Sequence, residues 1–178
     1  SLHEEVAYLI TYSGARILIA EDEEQCDKLI ELGDDIPTVE HIIFCDPRGM
    51  RKYDDPRLLD VEKLYELGRE LEEKNPGTYD QMVADTRGDE CAILCTTSGT
   101  TSKPKMAMLN SGDFLDHCAA YLRADPKYPG DNYVSVLPLP WIMEQVYVVG
   151  QSLISRQIVN FVEEQETMMA DLREIGPN

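Results

Sequence analysis

Apolar residues recur along this chain with a helical period in some stretches and as short runs in others. Val6, Leu9 and Ile10, with Tyr12 beyond, share one helical face over residues 4–12, and Gly14 is a stop signal. Arg16 to Ala20 is a short apolar run that predicts a buried strand. Asp22 to Leu32 predicts a helix, with acids in its first turn and Gly33 behind it. His41 to Cys45 predicts a second strand, ended by Asp46-Pro47-Arg48-Gly49. Strand, helix, strand in that order is the signature of a parallel sheet. Residues 50–60 are charged and carry Pro56, so a loop is expected there. Val61, Leu64, Leu67 and Leu71 predict a surface helix to Glu73, and a short helix starts near Thr78.

The second half repeats the alternation. Cys91 to Cys95 predicts a third strand and Ala107 to Leu109 a short one. Ser111 caps a helix to about Arg123, with Phe114, Leu115, Cys118 and Leu122 inward. Tyr133 to Leu137 predicts a strand that Pro138 and Pro140 end. Trp141 to Ser155 predicts an apolar helix, Gln157 to Asn160 a strand, and Thr167 to Ile175 a last helix capped by Thr167. The expected fold is α/β, a three-layer and mostly parallel sheet flanked by helices. Residues 1–178 are expected to form a single α/β domain. Both ends look cut, so a fragment of a longer chain is expected.

Chemistry concentrates after the third strand, at Cys95-Thr96-Thr97-Ser98-Gly99-Thr100-Thr101-Ser102-Lys103-Pro104-Lys105. An apolar run feeding Gly, Ser and Thr reads as a buried strand entering a loop. Such a loop offers backbone N–H groups and hydroxyls, and Lys103 and Lys105 add positive charge at its exit. That equipment can hold a polyphosphate. The bland alternative is a solvated polar linker. The spacing is not that of a nucleoside-triphosphatase P-loop, because Pro104 stands where that motif needs glycine. Loops following strands of open α/β sheets lie where ligands bind.

Charge narrows the partners. The net charge is −18, and residues 1–90 hold 24 acidic against 10 basic groups. A surface so acidic repels nucleic acid and anionic membranes at long range. The half that carries the loop is closer to neutral. The five cysteines form no C-x-x-C pair, and Ser-Leu-His-Glu-Glu is no secretory signal, so reduced thiols in the cytoplasm are expected. Neither they nor the three histidines show zinc spacing. No apolar stretch reaches the roughly 20 residues of a membrane span, which leaves only peripheral membrane contact open.

A second informative stretch is Leu137-Pro138-Leu139-Pro140-Trp141-Ile142-Met143-Glu144-Gln145. Trp141 reads equally as a ligand-site residue or as a core aromatic at a helix start. Glu144 lies among apolar residues, where an unpaired charge would be costly, which favours a pocket or structural role over catalysis.

The order from Thr97 to Lys105 resembles the phosphate loop of the adenylate-forming (AMP-binding) superfamily, which includes acyl-CoA synthetases, luciferases and peptide-synthetase adenylation domains. Ser102 and Met106 depart from the usual small residues there. The stretch from Leu137 resembles the L-P-L-x-H-x-x-E segment of long-chain acyl-CoA synthetases, with Trp141 in place of the histidine. Looser similarity at Glu4 to Glu21, Val39 to Asp46 and Asp171 to Pro177 extends the likeness over nearly the whole chain. The resemblance implies part of the large N-terminal domain of a long-chain fatty acid–CoA ligase.

It further implies a two-step ligation: Mg2+-ATP and a carboxylic acid give an acyl-adenylate, from which CoA displaces AMP. By resemblance, Thr97, Ser98, Gly99, Thr100, Thr101, Ser102, Lys103 and Lys105 bind the ATP phosphates. Trp141 and Glu144 belong to the acyl pocket or its gate. The motifs for adenine and ribose, the glutamate that commonly holds Mg2+ and the C-terminal domain with its catalytic lysine have no counterpart here. No catalytic residue and no metal ligand is therefore assigned, and the chain alone is expected to be inactive. Two alternatives stand beside this: a non-catalytic nucleotide- or partner-binding α/β module, and an adenylation domain of a peptide synthetase.

Overall fold

The computed structural model describes residues 2–97 and 103–177. They pack as two compact units, Ser1–Asp85 and Thr86–Asn178.

In the first unit, α1 (Leu2–Ser13) leads into β1 (Ile17–Ala20), α2 (Glu23–Glu31), β2 (His41–Phe44), β3 (Leu58–Asp60), α3 (Val61–Lys74) and α4 (Thr78–Asp85). The three strands form a parallel sheet in the order β1-β2-β3, with Ile17 opposite His41 and Ile42 opposite Leu58. Helix α2 starts where Asp22 accepts the Gln25 N–H at 3.1 Å. Glu23 and Glu24 then face the positive end of the helix. The core joins Ile10 of α1, Ala20 of β1, Cys26 of α2 and Ile42 of β2 with Leu32, Ile36, Val39 and Met50.

Two expectations change here. Arg16 to Ala20 is not a strand buried on both faces: Ile17 and Ile19 are exposed while Ala20 is buried, so the run is covered on one side only. Residues 58–60, expected in a loop, are a third parallel strand. Three residues are too few to show a period, and the strand is specified by its ladder to Ile42, Ile43 and Phe44.

The second unit opens with an antiparallel hairpin, β4 (Cys91–Thr97) and β5 (Lys105–Asn110). Then come α5 (Ser111–Ala124), β6 (Asn132–Ser135), α6 (Ile142–Glu144), a π-helical segment (Gln145–Gln151), α7 (Ser152–Ser155), β7 (Ile158–Phe161) and α8 (Met168–Ile175). Strands β6 and β7 pair in parallel, Asn132 opposite Ile158 through Ser135 opposite Phe161. The cap of α5 is Asn110, whose side chain accepts the Asp113 N–H at 2.8 Å, and not Ser111. Ser111 instead donates its hydroxyl to the Arg87 carbonyl. Phe114 and Cys118 of α5 pack with Val146, and Ile93, Leu109, Tyr121 and Tyr147 close around them. Gly150 lets α5 come close: an added Cβ would meet Cys118 Sγ at 2.2 Å.

Candidate functional site

The hydroxyl-rich run is entered from one strand and left into another. The sequence-predicted residues Ser98, Gly99, Thr100, Thr101 and Ser102 lie outside the described residues. Their flanks are defined. Thr97 ends β4 opposite Lys105, and its hydroxyl donates to the Lys105 carbonyl at 3.3 Å. Antiparallel pairing continues below as Thr96 with Met106, Cys95 with Ala107 and Leu94 with Met108. The strands on either side of the run pair in an antiparallel ladder that ends at Thr97 and Lys105. Thr97, Lys103 and Lys105 are exposed. Cys95, one turn of the pleat below, is buried, and burial pushes its thiol up, away from the reactive thiolate.

Trp141 and Glu144 sit on the second stretch, between β6 and the π-helical segment. Trp141 is 59% exposed, and its N–H closes a turn onto the Pro138 carbonyl at 2.9 Å. Glu144 is fully buried. Tyr133 donates its hydroxyl to Glu144 Oε2 at 3.1 Å, and Ser135 donates to Oε1. Burial first, then the Glu144 charge, pushes the Tyr133 phenol well above its ordinary value. The Gln145 side-chain amide donates to the Leu139 carbonyl at 2.5 Å.

Beside this stretch a cavity of about 440 Å³ opens at the carboxyl ends of β6 and β7, lined by Leu137, Pro138, Leu139, Phe161, Val162 and Met168 among others. Neither Trp141 nor Glu144 lines it. Sequence reasoning did not anticipate Tyr133 and Ser135 as partners of Glu144. Their signal was present: two hydroxyls spaced by two on a strand share a face, and an acid in an apolar run needs donors. Among the described residues, no group of three His, Cys, Asp or Glu side chains could hold a metal ion. Nor is any helix long and apolar enough to cross a membrane.

The family model described as AMP-binding enzyme matches residues 2–178. The chain belongs to that family. It is 26% identical over 182 residues to the rat (Rattus norvegicus) long-chain-fatty-acid–CoA ligase ACSBG1, covering 98% of this chain and 24% of that protein. Against the human (Homo sapiens) long-chain-fatty-acid–CoA ligase 1 it is 24% identical, with 98% of this chain and 26% of that protein covered. The chain therefore spans about a quarter of the length of these curated relatives.

Solved structures share the fold. The complex of VinN with L-aspartate superposes with a TM-score of 0.68 at 18% identity, over 99% of this chain and 38% of that one. The O-succinylbenzoate coenzyme A synthetase of Bacillus subtilis, in complex with ATP and magnesium ion, gives 0.62 at 15% identity over 99% and 31%. Membership in the AMP-binding family accounts for the mixed architecture, in which parallel strands flanked by helices accompany one antiparallel hairpin.

Proposed function

We propose that this chain supplies the ATP phosphate-binding hairpin of an acid–CoA ligase, AMP-forming and acting on a fatty acid. The observation that carries the reading is the hydroxyl-and-glycine run held between β4 and β5, closed at its base by Thr97 and Lys105, in a chain of the AMP-binding family. Ser98, Gly99, Thr100, Thr101 and Ser102 would donate to the β- and γ-phosphate oxygens, and Thr97 would join them only by turning its hydroxyl from the Lys105 carbonyl to a phosphate. Lys103 and Lys105 would neutralise charge as pyrophosphate leaves, an electrostatic and positioning role. The carboxylate of the acid attacks the α-phosphate, and the thiol of CoA then displaces AMP from the acyl-adenylate. No residue of this chain is assigned to the magnesium that accompanies ATP.

On this reading residues 1–178 are part of one larger AMP-binding domain, Trp141 and Glu144 border the acyl side, and the reaction belongs to the cytoplasm. The chain alone does not complete the ligation, since its relatives are about four times longer. A charge-assisted hydrogen bond contributes roughly 1.5–3 kcal/mol, so Lys105→Ala in the whole ligase should slow acid-dependent ATP–pyrophosphate exchange roughly 10- to 100-fold. Exchange at the unaltered rate would remove Lys105 from this role. Hydroxamate formation from ATP and a fatty acid by residues 1–178 alone would overturn the division of labour.

A further inference from the structure

Glu144 is a buried acid that the phosphate chemistry leaves unused. A carboxylate taken from water is tolerated only where donors meet its oxygens. Tyr133 and Ser135, which donate to Glu144, both belong to β6, but they stand at different places on it. Tyr133 lies within the strand, paired opposite Val159. Ser135 is the last residue of β6 and also lines the cavity.

From there the chain runs through residues 136–141 without a strand or helix of its own. Pro138 and Pro140 remove two backbone donors from this loop. Its hydrogen bonds among the described residues include Trp141 N–H to the Pro138 carbonyl, Gln145 N–H to the Trp141 carbonyl at 3.1 Å, and the Gln145 side-chain amide to the Leu139 carbonyl. The Ser135–Glu144 bond joins the point where the loop leaves the strand to the point where it enters the helix.

We propose that Glu144 is a positioning residue which, through Ser135, sets the place of the Leu137–Trp141 loop. That loop carries Leu137, Pro138 and Leu139 to the wall of the cavity and Trp141 to the surface beside it. Tyr133 satisfies the other carboxylate oxygen and belongs to the strand, not to the loop. The consequence for loop position stands on this geometry alone. The consequence for which acid is accepted rests on the ligase reading given above.

Trp141 is the single tryptophan of the chain, so its fluorescence reports the loop directly in the 178-residue protein. Ser135→Ala removes the tether with little loss of volume and should change acrylamide quenching of Trp141 by about twofold, as a locally released loop does. Tyr133→Phe also removes one buried hydroxyl bond but leaves the tether, and should quench as the wild type does. Glu144→Gln keeps an acceptor for Ser135 and can donate to the Tyr133 oxygen, and should restore wild-type quenching where Glu144→Ala does not. Thermal melts of each variant identify loss of the folded state.

Equal effects of Ser135→Ala and Tyr133→Phe on Trp141 would mean that Glu144 merely stabilises the unit, and would overturn the proposal. No effect of Ser135→Ala would overturn it as well. In the whole ligase, Ser135→Ala should raise KM for the acid severalfold with KM for ATP unchanged. A quenching change with an unmoved acid KM would keep the tether and refute its part in acid selection.

Discussion

Each unit of this chain contains a tyrosine bound to a carboxylate, and the two pairs behave differently. In the first unit Tyr53 donates its hydroxyl to Asp27 and approaches Glu23 at 3.2 Å, while Lys52 pairs with Glu23 and lies 5.1 Å from the Tyr53 ring centre. Water reaches that group, and the phenol is pushed up to about 12 chiefly by its bond to Asp27. In the second unit Tyr133 and Ser135 hold Glu144 with no water access, and burial is the first cause of the shift. The same functional groups thus form a solvated network in one unit and an enclosed one in the other. In the enclosed case each missing partner leaves a desolvated polar atom, so the penalty rises steeply.

The sharpest way to break this comparison is to delete the acid from each pair. Glu144→Ala leaves two buried hydroxyls short of an acceptor and a void, and should lower stability by about 2–4 kcal/mol in urea unfolding followed by Trp141. Asp27→Ala should leave the urea midpoint of the first unit nearly unmoved, because water replaces the lost acceptor. Comparable losses in both variants would erase the distinction.

A glycine in each unit tests it through packing. Alanine at Gly150 would press on Cys118 Sγ and the Phe114 ring of a closed core, and should cost about 1–3 kcal/mol. Cys118→Ala in the same molecule should return part of that loss, a coupling that a double-mutant cycle measures. At Gly49 the nearest atoms an added Cβ would meet are those of the Glu23 carboxylate, the end of a side chain that can swing into water. The cost there, about 1 kcal/mol, comes from the positive φ of 78°. Removing Glu23 should therefore recover little of it.

What could be read beforehand follows the same division between local and long-range causes. Helix α2 announces itself through Asp22, Glu23 and Glu24 at its start and Gly33 behind it, all local signals. The strand β4 entering the hydroxyl-rich run was legible because its apolar residues are consecutive. By contrast β3 is fixed by a partner strand about 16 positions earlier, Leu58 against Ile42, and no local pattern records that. Ile19 looked like core because its neighbours in sequence are apolar, yet on the edge strand β1 it stays exposed while its partner Ile43 on β2 is buried. Glu144 was recognisable as costly from its apolar neighbours, but not which donors relieve the cost. Ser135 is nine residues away in sequence and reaches it only because β6 ends over the start of α6. The widening of that helix to a π-helical segment over Gln145–Gln151 also has no sequence sign that we can name.

Smaller effects should come from the helix caps. Asn110→Ala frees the Asp113 N–H at the start of α5 and should cost about 1 kcal/mol. Asp22→Ala removes the equivalent acceptor in α2 but also one acid from a crowded acidic neighbourhood that includes Glu23, Glu24, Asp27 and Asp46. Relief of that repulsion offsets part of the lost cap, so this variant should be the milder of the two. The order is checked by paired urea titrations, and a milder Asn110→Ala would reverse the argument.

The smallest effect concerns the solvated tyrosine itself. Tyr53 keeps its proton in the folded chain up to about pH 12, whereas in the unfolded chain it loses it near 10. The folded state therefore binds the proton more tightly. The stability this contributes is complete below pH 10 and is lost as pH rises from 10 through about 12. Tyr53→Phe should flatten that alkaline decline in the first unit by removing the same contribution at neutral pH, a loss kept small because water competes for the bond to Asp27. Because the group is in contact with water, added salt should shrink the decline further by screening the charges of Asp27 and Glu23. A decline that persists unchanged in Tyr53→Phe, or that ignores salt, would show that the network of the first unit is shut off from solvent after all, and the contrast with Glu144 would lose its basis.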